Sequence, residues 1–123
     1  MHTVKLLYPV LSYKIVGLCF EAHNELGRFA RERQYGKVIE SKLRGDNIKF
    51  KKELQISNSG NVIDFLIEDL IILELKCEPM ITKKDYFQVQ RYLQAAGIEL
   101  GILVNFRNKY LRPKRILKLK KKN

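Results

Sequence analysis

Three ionisable residues sit inside stretches that otherwise read as buried strand, and nothing else in this sequence constrains its fold so tightly. Asp64 lies within Val62-Ile63-Asp64-Phe65-Leu66-Ile67, and Glu74 and Lys76 lie within Ile71-Ile72-Leu73-Glu74-Leu75-Lys76. Charges in apolar strands are costly unless they are paired or hold a cation. Glu74 and Lys76 are two apart, so on a strand they share a face. Whether Asp64 joins them depends on the intervening connection. A two-residue loop at Glu68-Asp69 pairs Ile67 with Leu70 and turns Asp64 away from Glu74. A three-residue loop, or a bulge, sets Asp64 directly opposite Glu74. Two carboxylates and an ammonium on one face form a site with definite chemistry. The carboxylate oxygens suit Mg2+ or Mn2+, such a cation activates a bound water, and the lysine orients that water and steadies developing negative charge. The alternative is that Asp64 and Lys76 mark exposed strand ends or form a structural ion pair.

The rest of the chain frames these strands. Pro9 opens a helical pattern of apolar residues that Gly27 closes, and a second runs from about Phe29 to Leu43 and stops at Gly45-Asp46-Asn47. Ile48 to Ile56 reads as a strand with partial alternation, and Ser57-Asn58-Ser59-Gly60 as a turn. Leu70 to Leu75 is almost wholly apolar and reads as a central strand covered on both faces. Thr82 and Asp85 make an approximate capping box for a helix over about Lys83 to Ala96, stopped at Gly97, and Ile98 to Phe106 is another buried strand. The order α-α-β-β-β-α-β predicts an α/β domain with a central mixed four-stranded sheet flanked by helices.

Charge points to the partner. The 123 residues carry a formal +11, with a pI near 9.8, which favours a polyanion such as nucleic acid. Nine Lys/Arg and no acidic residue fall between Arg107 and Asn123, leaving the remainder of the chain at +2. Arg107, Lys109, Arg112, Lys114 and Arg115 are candidate phosphate contacts, with Lys118 to Lys122 beyond them. A solubilising, unstructured end is the other reading. The expected division is a domain over 1–116 and a basic tail over 117–123. Cys19 and Cys77 are scattered and suit a reducing compartment. His2 and His23 have no partner at ligand spacing, so zinc is not expected. No secretory signal or membrane span is visible, which makes the cytoplasm the expected location.

A family pattern runs through the same residues. Asp64, nine intervening residues and then Glu74-Leu75-Lys76 resemble the D…ExK motif of the PD-(D/E)XK nuclease superfamily, whose core order also matches. Gln88-Val89-Gln90-Arg91-Tyr92 resembles the QxxxY motif of its exonuclease-like branch, with Gln88 and Tyr92 on one helix face. Glu21 to Gly27, Glu32-Arg33-Gln34-Tyr35, Ile63 to Asp69, Leu73 to Lys76, Gln88 to Gly97 and Gly101 to Phe106 look like the small GxxExxY proteins of that superfamily, over roughly residues 10 to 116. Phe29 stands where the first glycine of that motif belongs.

The resemblance implies roles. Asp64 and Glu74 would ligate the metal with help from the Leu75 carbonyl, and Lys76 would position the attacking water. Glu32 would bring an extra acidic group; Gln88 and Tyr92 would contact a phosphate or brace Lys76. For Glu32 the alternative is an exposed helix residue, and for Tyr92 a core aromatic. Glu21 and His23 are weaker candidates, and Tyr35 suits a packing role. The expected function is a Mg2+- or Mn2+-dependent nuclease acting most readily on DNA. Two alternatives remain: a catalytically silent nucleic-acid-binding module of the same fold, and a basic RNA-associated protein with no site. A homodimer suits cleavage of both strands of a duplex.

Overall fold

The computed structural model describes residues 7–56 and 60–120. His2, the first three residues of the expected Ser57–Gly60 turn and Lys121 and Lys122 lie outside these. Two helices come first, α1 (Pro9–Leu26) and α2 (Glu32–Gly45). Three strands follow, β1 (Phe50–Ile56), β2 (Asn61–Ile67) and β3 (Ile71–Lys76). Helix α3 (Lys83–Ala96) then leads to β4 (Leu100–Asn105) and β5 (Lys114–Leu117).

Local chemistry explains most boundaries. Pro9 presets the backbone at the start of α1, and Gly27, at φ 75°, ends it by donating its N–H to the His23 carbonyl. Thr82 and Asp85 form the expected capping box, with the Thr82 N–H donating to Asp85 Oδ2 at 2.8 Å. Helix α2 begins at Glu32, later than the pattern from Phe29 predicts. The Tyr35 hydroxyl explains the delay: it donates to the Gly27 carbonyl and accepts the Ala30 N–H, holding residues 27–30 in a loop. Tyr35 is wholly buried and stacks on Phe106 at 4.2 Å, so that loop is pinned to the sheet.

The sheet runs β1-β2-β3-β4-β5, with β3 and β4 parallel across the α3 crossover and every other pair antiparallel. It has five strands where four were expected. The fifth escapes detection because only Ile116 of Lys114-Arg115-Ile116-Leu117 is buried. A strand recruited through backbone pairing from Leu100↔Leu117 to Leu103↔Lys114 needs no run of apolar residues. Gln90 Nε2 on α3 fastens it by donating to the Leu117 carbonyl at 3.0 Å.

Two apolar layers form on the sheet. Helices α1 and α2 pack Ile15, Cys19, Ile39 and Leu43 against Ile71, Leu73 and Leu75. Helix α3 packs Val89, Tyr92 and Leu93 against the opposite face, with Ile72 and Leu103. Strand β3 is thus covered on both faces, as its composition predicts. Gly101 allows α3 its close approach: a Cβ there would lie 2.7 Å from Val89 Cγ1. We expect Gly101→Ala to destabilise the domain by about 1–3 kcal/mol; a urea midpoint equal to the parent's would show that α3 can retreat freely. Among the described residues no helix is long and apolar enough to cross a membrane.

Candidate active site

The β2–β3 connection has the three residues that the site requires. Glu68 and Asp69 both adopt left-handed backbone, at φ 53° and 56°, and the Leu70 N–H closes the turn on the Ile67 carbonyl at 2.9 Å. Ile67 therefore pairs with Ile71, and the register continues through Leu66↔Ile72 to Phe65↔Leu73. The next step sets Asp64 opposite Glu74. There the side chains take over from the backbone ladder. The Asp64 N–H donates to Glu74 Oε1 at 2.8 Å, and the Leu75 N–H donates to Asp64 Oδ2 at 2.8 Å. Each carboxylate satisfies a backbone donor that regular strand pairing would otherwise occupy, which is how two acids are accommodated in apolar strands.

Lys76 ends β3 within reach of α3. Its Nζ donates to Gln88 Oε1 at 2.8 Å and lies 3.8 Å from Asp85 Oδ1. Asp85 is 6% exposed and already caps the helix through Thr82. One carboxylate thus fixes both the start of α3 and the ammonium. The capping pattern revealed the first role of Asp85 and hid the second. Tyr92, one turn beyond Gln88, is 4% exposed and packed in the α3 layer.

Glu32 stands at the first position of α2, held there by the Tyr35 brace. It lines a cleft of about 330 Å3 with Arg33, Gly36, Lys52, Glu53, Asp64 and Leu75. Sequence reasoning passed over Arg33, Lys52 and Glu53. Lys52 pairs with Glu40 at 3.1 Å. Glu53 falls between the pairs Lys52↔Phe65 and Leu54↔Ile63, which sets it beside Asp64 on the neighbouring strand. Its φ of 53° is a left-handed kink inside a strand, a conformation that hydrophobic alternation cannot disclose. Glu21 pairs with Lys42 at 3.3 Å, and His23 Nε2 meets the Asn108 carbonyl at 2.9 Å, so both serve the scaffold.

Burial sets the electrostatics. It raises Glu74 above the usual carboxylate range, the Asp64 charge raises it further, and the Asp64 N–H and Lys76 oppose the rise. Asp64 is also raised, by burial first, against the pull of the Leu75 N–H and Lys76. Glu32 is exposed as a residue, yet partial burial of its carboxyl and the nearby Asp64 charge raise it too. Tyr92 is raised by burial and then by Glu74 and Asp64, which puts its hydroxyl within electrostatic reach of both acids. Burial therefore favours the neutral forms of these acids, against the opposing pull of Lys76.

A family model described as the PD-(D/E)XK nuclease superfamily matches residues 9–117. The chain belongs to that superfamily. A solved structure described as the crystal structure of SSO0001 is similar, with a TM-score of 0.53 at 20% identity, covering 87% of this chain and 67% of the other. At that identity the likeness bears on the fold alone. No curated protein matches the chain. PD-(D/E)XK nucleases typically use divalent metal ions, and nucleic acid is the substrate class that membership implies.

The residues fit such an ion in donor type and charge. Asp64 and Glu74 each spend one carboxylate oxygen on the backbone, and a divalent cation beside them would favour their ionised forms against the burial that raises both. Leu75 lines the same cleft and brings a backbone carbonyl. No three His, Cys, Asp or Glu side chains converge at ligand distance among the described residues. Hard cations accept backbone and solvent oxygens to complete such a shell.

The five basic candidates divide. Arg107, Lys109 and Arg112 line one concave surface with Arg28. Lys114 and Arg115 belong to β5, where Arg115 donates to Ser12 Oγ at 2.7 Å and to the Leu7 carbonyl at 2.9 Å, tying the strand to α1. A further basic groove, lined by Arg31, Arg33, Gln34 and Lys37, adjoins the cleft through Arg33. Both cysteines are free thiols; burial pushes Cys19 up to about 12 and Cys77 up to about 11.

Proposed function

We propose that this protein is a Mg2+- or Mn2+-dependent nuclease of the GxxExxY kind, hydrolysing phosphodiester bonds in DNA. The observation that carries the reading is the pair of hydrogen bonds setting Asp64 of β2 against Glu74 and Leu75 of β3, with Lys76, at the end of β3, held by Gln88 of α3. A divalent ion held by Asp64, Glu74 and the Leu75 carbonyl would supply Lewis-acid polarisation of the phosphate and an acidified water. The chain's own residues do the rest. Lys76 holds an ammonium at the attack side, where it orients the nucleophile and meets developing negative charge. Gln88 and Asp85 keep that ammonium in one place, a precondition for attack at short range. Glu32, with its raised carboxyl at the cleft rim, accepts a proton from the incoming water. Arg33 and Lys37 offer phosphate contacts beside the cleft.

The test is incubation of single-stranded and duplex DNA with the protein in Mg2+, in Mn2+ and in EDTA. Cleavage in either metal and none in EDTA is the expected result. Tight DNA binding with no cleavage in either metal would instead mark a silent binding module.

A further inference from the structure

Three segments distant in sequence meet at the end of the sheet where β3 and β4 stop. They are the α1–α2 loop, the exit from β3 at Pro79 and the connection from β4 to β5. Arg28 Nε donates to the Arg107 carbonyl at 3.0 Å, and Asn105 Nδ2 donates to the Glu78 carbonyl at 2.8 Å, so the three are fastened together. Between them lies a basin of about 320 Å3 lined by Arg28, Arg107, Lys109 and Arg112 and by no acidic side chain. Two aromatic rings stand out of this basic surface, Phe29 at 75% exposed and Tyr110 at 70%. Arg28 and Arg107 lie over the Phe29 ring at 4.9 and 5.7 Å, and Lys109 lies over Tyr110 at 5.4 Å. Arg107 Nε is buried and has no hydrogen-bond partner among the described residues.

We propose that this surface is a stacking platform for single-stranded nucleic acid, or for the unpaired end of a duplex, beside the candidate active site. The chemistry follows from the residue types. Exposed aromatic faces accept any base by stacking, and a basic groove tracks the backbone without reading sequence. Bases inside a duplex already have both faces covered by their neighbours, so only an unpaired base can lie on Phe29. The platform leads toward the site from two sides. Phe29 precedes Glu32 by three residues, and Phe106, next to Arg107, donates its N–H to the Lys76 carbonyl at 2.8 Å. This names the form of substrate for the nuclease reading and rests on it, but the binding itself does not require catalysis.

The experiment measures binding of the full chain in EDTA to fluorescent oligothymidylate, oligouridylate and a blunt hairpin duplex closed by an abasic glycol linker in place of loop nucleotides. Phe29→Ala is expected to weaken binding of the single strands about 10-fold while the hairpin changes by less than about 2-fold. Its salt dependence stays that of the parent, whereas Arg107→Ala lowers the salt slope by about one. Phe29→Trp introduces the only tryptophan of the chain, and its fluorescence is expected to fall as oligothymidylate is added. Unchanged single-strand affinity in Phe29→Ala, equal losses on strand and hairpin, or an unquenched tryptophan each overturns the platform. An inactive parent that still shows Phe29-dependent binding sinks the nuclease reading alone; intact cleavage without Phe29 dependence sinks the platform alone.

Discussion

Replacing Asp64 with asparagine is expected to abolish cleavage and at the same time make the metal-free protein more stable. The two effects share one cause. Burial raises both carboxyls and the Asp64 charge raises Glu74 further, so a charge held on Asp64 costs the metal-free protein stability. Asparagine keeps an oxygen to accept the Leu75 N–H and removes a charge. A rise of a few degrees in Tm is expected, the scale of about 1 kcal/mol in a domain of this size. Cleavage should fall by more than about 100-fold, since even outer partners of a metal ligand are worth 10–100-fold. Glu74→Gln keeps the acceptor for the Asp64 N–H and should behave alike. An asparagine variant less stable than the parent at neutral pH would show that the buried Asp64 charge is no burden on the metal-free protein.

The same raised carboxyls fix the sign of the pH dependence. Their native pKa values lie above the unfolded ones, so between those values the native state binds more protons than the unfolded state. Stability of the metal-free protein therefore falls as pH rises from the ordinary carboxylate range through the raised native values, and is recovered on acidification across that window. A cation competes with those protons, so the Tm gain on adding Mn2+ should grow from mildly acidic to mildly alkaline pH. Asp64→Asn should flatten both trends.

The site was more legible in the sequence than the scaffold that holds it. Asp64, Glu74 and Lys76 stand out because ionised groups in apolar strands demand compensation, and the two-residue period of a strand puts Glu74 and Lys76 on one face. The conflict left one geometric question, the length of the Glu68–Leu70 connection, and that turn carries no glycine or asparagine to announce its left-handed residues. The second group of site residues gave weaker signals. Asp85 was readable as a cap because capping is local, but its contact with Lys76 spans nine residues and comes from docking α3 on the sheet. Glu53 joins the cleft through a kink that breaks the alternation by which strands are found. Strand β5 was invisible for the reverse reason. At a sheet edge backbone pairing suffices, so its outward residues are free to be basic and read as tail.

Lys76→Met is expected to separate chemistry from metal binding. The thioether has nearly the length of the lysine stem and no charge, so it removes the ammonium from Gln88 and Asp85 while Asp64, Glu74 and the Leu75 carbonyl remain. Cleavage should fall about 100- to 1,000-fold, the scale of removing one group that stabilises transition-state charge. Stability should fall as well, opposite in sign to Asp64→Asn. Asp85, held at 6% exposure, loses its cationic neighbour, and Gln88 loses a donor; leaving such groups without a partner costs about 1–3 kcal/mol. The Thr82 N–H still serves Asp85, which keeps the cost in that range and the helix start intact. The Tm gain on adding Mn2+ should persist, because the ligand oxygens are untouched. If the methionine variant instead cleaves at the parent's rate while Asp64→Asn is dead, the ammonium is a structural pin for α3 and the water is oriented by another group, with Glu32 of the same cleft as Asp64 the next acid to test.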